Sequence, residues 1–313
     1  MKVCALAGGV GGAKLASGLQ NVLPLGELSV VVNTADDFDL WGLHICPDLD
    51  TVMYTLAGIS NPETGWGIVN ESFETLNMLE SYGEETWFKL GDRDLATHIL
   101  RTSRMRSGET LTEVTAGLSG VLGVNSTVLP MSDDPVSTVL ETAEGRLEFQ
   151  EYFVRRGQRD EVLAIELRGI RDAGPTERVL AAISGADAIV LCPSNPVVSI
   201  GPILALPGMT EALASSSAPK VAVSPIIGGR ALKGPADRML ASLGHEVSAT
   251  GVARMYAGLV DGMVVDRTDE GERAGIETLG MRVLVTQSVM RDAEDRARLA
   301  LETLEFSARL VAR

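Results

Sequence analysis

The amino terminus constrains the fold most. Lys2–Leu6 is a short apolar run that stops at Ala7-Gly8-Gly9; Gly11 and Gly12 follow, and then Leu15, Leu19 and Val22 recur at helical spacing. A continuous apolar run suits a strand covered on both faces, glycine permits a tight turn, and the recurring leucines make the stripe of an amphipathic helix. The parsing is strand, glycine turn, helix. Leu28–Val32 is the next strand, ending at Asn33-Thr34-Ala35-Asp36-Asp37. Ala188–Cys192 runs into Pro193-Ser194-Asn195-Pro196, and Lys220–Val223 into Ser224-Pro225-Ile226-Ile227-Gly228-Gly229. Met263–Val265 and Met281–Val285 complete the set before a terminal helix from about Arg291. Apolar strands separated by helices imply an α/β fold: Rossmann-like, doubly wound, with a mainly parallel sheet. The first four strands end in loops rich in Gly, Ser, Asn, Asp or Pro. Ligands of open parallel sheets bind beyond the carboxyl ends of the strands, so these loops should converge on one crevice.

From about Asn61 to Thr115 the pattern turns mostly helical and holds Trp66, Trp87 and Phe88, while Gly145–Arg155 alternates as an antiparallel strand does. The reading is a single α/β nucleotide-binding domain over 1–313, with a helical and hairpin insertion at roughly 58–174. Against 27 basic residues stand 42 acidic ones, a formal charge of -15. That balance argues against gripping a nucleic-acid backbone or docking on anionic lipid. It leaves room for a small phosphorylated ligand, because a few amides, one lysine or a bound cation reverse the local field. No apolar stretch approaches the ~18 residues of a membrane span, and no leader pattern precedes Val3. Cys4, Cys46 and Cys192 are far apart, so no disulfide framework is expected and the cytoplasm is the expected location.

Gly8-Gly9-Val10-Gly11-Gly12-Ala13-Lys14 is the first candidate site, since glycines let amides approach an anion at the positive end of a helix. The string fits neither standard fingerprint, because Lys14 stands where a third glycine belongs and Leu15 where a P-loop carries Ser or Thr. A nucleotide or phosphate site and a ligand-free tight turn are both open. Asp36, Asp37, Asp39, Asp48 and Asp50 form the second. Such carboxylates can hold Mg²⁺ together with substrate phosphates, contact a ribose, or cap a helix. Gly91-Asp92-Arg93-Asp94 can set a guanidinium fork against a phosphate or pair with itself as a surface turn. The stiff loops at Ser194-Asn195 and Ser224 suit ligand contacts. His44, His98 and His245 show no metal-ligand spacing and no triad.

The strings GGVGGAKL (8–15), VVNTADDF (31–38), CPDLDTVMYTL (46–56), KLGDRDLATHI (89–99), LPMSDDPVSTVLETAEG (129–145), PSNPVVSIGPILALPGM (193–209) and VAVSPIIGGRALKGPA (221–236) resemble the CofD family, the 2-phospho-L-lactate transferases of coenzyme F420 biosynthesis. The resemblance implies transfer of 2-phospholactate, or phosphoenolpyruvate in some lineages, from a guanosine diphospho-linked donor to the deazaflavin Fo. The ribityl hydroxyl of Fo attacks the phosphorus bearing the acid, GMP leaves, and Mg²⁺ assists. On this reading Gly8, Gly9, Gly11, Gly12, Lys14, Ser194, Asn195 and Ser224 hold the nucleotide and its phosphates. Asp36, Asp37 and Asp50 hold Mg²⁺. By carry-over from PDLDTV and GDRD, Asp50 and Arg93 contact Fo, and Asp50 accepts the hydroxyl proton, with Trp41 or Trp66 as stacking surfaces. One rival is a non-catalytic regulator of the same superfold that binds nucleotide sugars, which should not need PDLDTV and GDRD together. An NAD-dependent oxidoreductase is the second rival, and the missing third glycine counts against it. A homodimer is expected because symmetric dimers are the commonest oligomers.

Overall fold

The structure, a computed structural model, describes residues 1–311. Seven strands form the central sheet: β1 (Val3–Ala7), β2 (Leu28–Val32), β3 (Thr127–Pro130), β4 (Ala188–Leu191), β5 (Lys220–Val223), β6 (Gly262–Asp266) and β7 (Arg282–Thr286). Their order is β7-β6-β5-β4-β1-β2-β3, and every neighbouring pair is parallel. The chain winds outward from β1 through β2 to β3, then returns to β4 on the other side of β1 and winds the opposite way. This is the doubly wound arrangement expected from the strand pattern, with its switch point between β1 and β4.

Alternation along β1 divides the core into two layers. Val3, Ala5 and Ala7 pack with Leu15 and Leu19 of α1 (Gly9–Val22), Leu49 and Val52 of α2 (Pro47–Leu56), and Leu299 and Leu304 of the terminal helix. Cys4 and Leu6 face the opposite layer with Val179, Ile183, Ile200, Ile203 and Leu213. Outside the sheet, α3 (Asp92–Arg106) lends Asp94 and His98 to the crevice wall, and α4 (Ala293–Val311) is the last helix. Among the described residues no helix is long and apolar enough to cross a membrane.

α1 and α4 cross closely, because a Cβ built on Gly18 falls 2.2 Å from the Arg296 carbonyl oxygen. Helix propensity alone favours alanine over glycine by about 0.5–1 kcal/mol. Here the backbone contact decides the sign: Gly18→Ala is expected to destabilise by about 1–3 kcal/mol, read as a Tm several degrees lower.

Two boundaries differ from the sequence reading. The glycines do not precede the first helix; Gly9, Gly11 and Gly12 are its first turn. Nor is 58–174 one insertion, since Thr127–Pro130 within it pairs with β2 as an edge strand of the main sheet. That strand is short and ends in Pro130, which cannot donate to a ladder, so it reads as loop. Two excursions flank it. The first is helical and includes α3; the second is a three-stranded antiparallel sheet of Ser137–Thr142, Gly145–Glu148 and Val162–Arg168. The alternation of Gly145–Arg155 gives a strand only as far as Glu148, followed by a π-helical turn at Glu151–Arg155.

Candidate functional site

A cavity of about 660 Å³ opens at the carboxyl ends of β1, β2, β4 and β5, lined by Gly8, Gly9 and Gly11, by Asp36, by Ser194 and Asn195, and by Ser224. The four loops converge there as their strands require. Asp48, Asp50 and Tyr54 of α2 and Asp94 and His98 of α3 add to the polar lining. The volume is that of a cofactor-sized site.

Close packing explains the glycine string. A Cβ on Gly11 would lie 2.3 Å from the Pro193 carbonyl oxygen, and Gly9 has φ +61, which a side chain resists. Ser194 binds this loop from β4: its hydroxyl accepts from the Gly8 amide at 3.0 Å and donates to the Gly8 carbonyl at 2.8 Å. Gly8 therefore spends its amide inside the protein. Gly12 packs against Ser194, where a Cβ would fall 2.4 Å from Oγ, and does not line the cavity. Lys14 does, with Nζ on the Met290 carbonyl at 2.9 Å. Burial, then Arg296 and Lys233, lower its pKa. Lys233 also lines the cavity, its Nζ on the Thr64 carbonyl at 3.1 Å. Two ammonium groups resting on carbonyls near a helix amino terminus suit an anion.

Asn33, fully buried at the end of β2, organises the acids. Its Nδ2 is 3.1 Å from Asp36 Oδ2, 3.0 Å from Asp48 Oδ2 and 3.2 Å from the Val198 carbonyl oxygen. Burial, then the charge of Asp48, push Asp36 well above the usual carboxylate range. Burial pushes Asp48 up to about 6, against the pull of Asn33 and the Gly9 amide. Asp36 Oδ1 is buried without a hydrogen-bond partner. Two cavity-lining carboxyls on one amide donor, one of them with a buried oxygen left without a partner, fit a hard divalent cation. Asp37 lies apart from them, outside the cavity lining. Its carboxylate faces His44, with Nε2 at 3.6 Å, and the three donors of Asp37, His44 and Cys46 lie within 4.8 Å of one another. Burial raises the Asp37 carboxyl. For His44 burial pulls the other way, but Asp37 and Asp39 outweigh it and raise the imidazole.

The raised Asp48 carboxyl has a consequence for stability in metal-free solution. The unfolded group ionises near pH 4 and the folded one near 6, so stability present below pH 4 is lost as pH rises through that window. Asp48→Asn is expected to remove this loss. Its Tm should match or trail the parent near pH 4 and exceed it by several degrees at pH 7, corresponding to at most about 3 kcal/mol. Thermal denaturation of both proteins across pH in chelator checks it.

α2 and α3 meet over a second polar group. Arg101 places Nη1 3.0 Å from Asp50 Oδ2 and Nη2 on Asp50 Oδ1. The same Nη1 is 3.2 Å from His98 Nδ1, whose Nε2 lies 3.2 Å from Asp94 Oδ1. The Tyr54 hydroxyl donates to that oxygen at 2.7 Å. Burial would raise Asp94, but His98 and Tyr54 prevail and hold its carboxyl low. The GDRD string divides by direction. Asp94 faces the cavity. Arg93 is exposed outside it, with Nη1 on the Val69 carbonyl at 2.9 Å. Asp92 caps the helix Glu74–Ser81, accepting from the Ser72 hydroxyl and the Glu74 and Thr75 amides at 2.6, 3.0 and 2.9 Å. Those bonds lower its pKa far below the usual range.

Aromatic side chains supply the remaining wall. Trp87 and Phe88 line the cavity and pack with Phe38, with Phe38–Phe88 and Trp87–Phe88 centroids at 4.9 and 5.7 Å. Phe149 and Phe153 line it too, stacked at 5.4 Å. Trp66 borders the opening, 45% exposed, whereas Trp41 packs against the cluster of Ile45, Leu90 and Leu95 and does not line the cavity.

Residues 3–304 match the sequence profile of the family described as 2-phospho-L-lactate transferase CofD. The chain belongs to the CofD family. Among CofD-like relatives, a phosphoenolpyruvate transferase of Streptomyces griseus is 45% identical over 313 residues, covering 98% of each chain. A 2-phospho-L-lactate transferase of Methanosarcina acetivorans is 43% identical over 295 residues, covering 94% of this chain and 95% of that one. A solved member of the UPF0052 family from Bacillus halodurans superposes with TM-score 0.66 at 19% identity, over 96% of this chain and 98% of that one. That likeness shows a shared fold. In this CofD chain the family strings around Gly8, Asp36, Asp48 and Asp94 meet on the cavity, and Asn33 and Arg101 stand behind them.

Proposed function

We propose that this chain transfers the 2-phospholactate or phosphoenolpyruvate moiety of a guanosine diphospho-linked donor to the ribityl hydroxyl of Fo, giving coenzyme F420-0 or its dehydro form and GMP. The observation that carries the reading is one cavity with three kinds of wall: a glycine-rich helix amino terminus with Lys14 and Lys233, a carboxylate row of Asp36, Asp48 and Asp50, and aromatic faces at Trp87, Phe88 and Phe149. A diphosphate, an alcohol to be deprotonated and a flat ring each find a matching surface.

The α1 amides and the two lysines bind the diphosphate and orient it. Asp36 and Asp48 would hold Mg²⁺, and Ser224 and Asn195 edge the nucleotide. Held there, the cation would supply charge neutralisation at the phosphates. Asp50 accepts the proton of the hydroxyl as its oxygen bonds to the phosphorus bearing the acid; the bond from that phosphorus to the bridging oxygen breaks and the oxygen departs with GMP. The aromatic faces stack on the deazaflavin and exclude water from the reacting oxygen. The regulator reading has less support, because a nucleotide-sugar binder needs neither the aromatic wall nor a carboxylate set against an alcohol. The reaction would run in the cytoplasm.

A fluorescence titration of Fo, with and without Mg²⁺ and GDP, tests the reading. Saturable binding that responds to GDP is expected, followed by GMP release with one of the two donors. Absence of Fo binding in a protein that binds a nucleotide sugar overturns it. The relatives carry both donor names at nearly equal identity, so the two donors are compared directly.

A further inference from the structure

Arg101 is the largest of the fully buried side chains, 1% exposed, yet it carries a permanent charge and does not line the cavity. Stability is a weak reason for such a group: an apolar side chain of similar volume often serves a core as well as a buried ion pair does. Its geometry suggests another. The planar guanidinium meets both oxygens of Asp50, which fixes the plane of that carboxylate as a point charge would not.

The guanidinium is itself held. Arginine offers only donors, so His98 Nδ1, 3.2 Å away, is the acceptor, and His98 Nε2 lies 3.2 Å from Asp94 Oδ1. Asp94 is anchored in turn by the Tyr54 hydroxyl and by its own amide, which donates to Glu71 Oε1 at 2.9 Å. The chain of contacts thus runs from a helix cap outside the cavity to the one carboxylate that the proposed reaction needs in a defined orientation.

We infer that Arg101 is a positioning residue for the transfer: it holds the Asp50 carboxylate toward the acceptor hydroxyl, and His98 and Asp94 hold Arg101. The inference rests on the reading of Asp50 as proton acceptor. A lysine at 101 keeps the charge but cannot grip both oxygens. Leucine at 98 offers no acceptor and so loses the contact that orients the fork.

The test is a double-mutant cycle on turnover at saturating donor and Fo. Arg101→Lys is expected to lower kcat about 10- to 100-fold while leaving GDP affinity at the parent value. In an Asp50→Asn background the same change is expected to cost less than about twofold, because its route of action is already gone. A merely structural role would lower GDP affinity and Tm together and cost the same in both backgrounds. His98→Leu gives the second arm and carries the test where Arg101→Lys does not fold: a smaller kcat loss, again absent beside Asp50→Asn. Parent-like kcat in the variant tested, or equal losses in both backgrounds, overturns the inference while leaving the proposed function standing. Full turnover in Asp50→Asn alone removes the proton-acceptor reading, and this inference with it.

Discussion

Asp50→Asn is expected to lower turnover by about 10²- to 10⁴-fold, the range for loss of a positioned proton acceptor, and to lower stability as well. The two effects have separate causes. Asparagine is nearly the same size and can still accept from Arg101 through one oxygen, but it cannot take the hydroxyl proton. It also leaves the Arg101 guanidinium, 1% exposed, without its counter-charge. Removing one partner of a buried ion pair typically destabilises by about 3–5 kcal/mol, so a clear fall in Tm is expected beside the kinetic loss. GDP binding separates the causes, because the nucleotide side of the cavity is built by the α1 amides, Lys14 and the loops after β4 and β5. A variant that melts early, binds GDP at parent affinity and releases almost no GMP supports Asp50 as the proton acceptor. A variant that melts early yet releases GMP at the parent rate at a permissive temperature assigns Asp50 to stability alone.

The sheet was legible because its strands are buried on both faces and their sequences say so: Leu28–Val32 and Lys220–Val223 are observed with the boundaries their apolar runs suggest. Thr127–Pro130 escaped notice because an edge strand needs neither a long apolar run nor a donor at every position. Within the site, reach along the chain decided what could be read. The glycine string and PDLDTV announce themselves locally. Which acids share a wall does not. Asp36 and Asp37 are neighbours in sequence, yet Asn33 gathers Asp36 toward Asp48 while the Phe38–Ile45 hairpin carries Asp37 toward His44. GDRD suggested its arginine, the residue with the evident phosphate chemistry, but the helix phase of α3 turns Asp94 inward and leaves Arg93 outside. His98 and Arg101 follow from the same phase: His98 is four residues past Asp94 and Arg101 three past His98, which puts both on its buried face. Nothing in a single sequence tells a buried arginine there from a solvated one. Trp41 and Trp87 show the same limit, since both lie on the flanks of the Phe38–Ile45 hairpin and Phe88 and only Trp87 lines the cavity.

Substitution at the three neighbouring acids separates the two possible metal sets. Asp36→Asn and Asp48→Asn are each expected to lower turnover by at least about 10²-fold and to raise the Mg²⁺ concentration for half-maximal rate by about tenfold or more, as loss of a direct carboxylate ligand does. Asp37→Asn is expected to keep the parent's Mg²⁺ requirement and to lose far less turnover than the other two. The argument is one of access. Asp36 and Asp48 line the cavity and share Asn33 as a donor, whereas Asp37, whose oxygens are buried without a hydrogen-bond partner just as Asp36 Oδ1 is, lies outside it. Asp37 is turned to His44 and Cys46, so its neutral variant loses a structural charge contact and no metal–oxygen bond. Asp37→Asn should therefore show in Tm before it shows in rate. The Mg²⁺ titration of GMP release, run beside thermal denaturation for all three variants, gives the answer directly. A raised Mg²⁺ requirement in Asp37→Asn with a parent-like one in Asp48→Asn would move the cation across the hairpin, away from the Asn33 cradle. The raised pKa values of Asp36 and Asp48 would then describe two carboxyls that share a proton and never a metal.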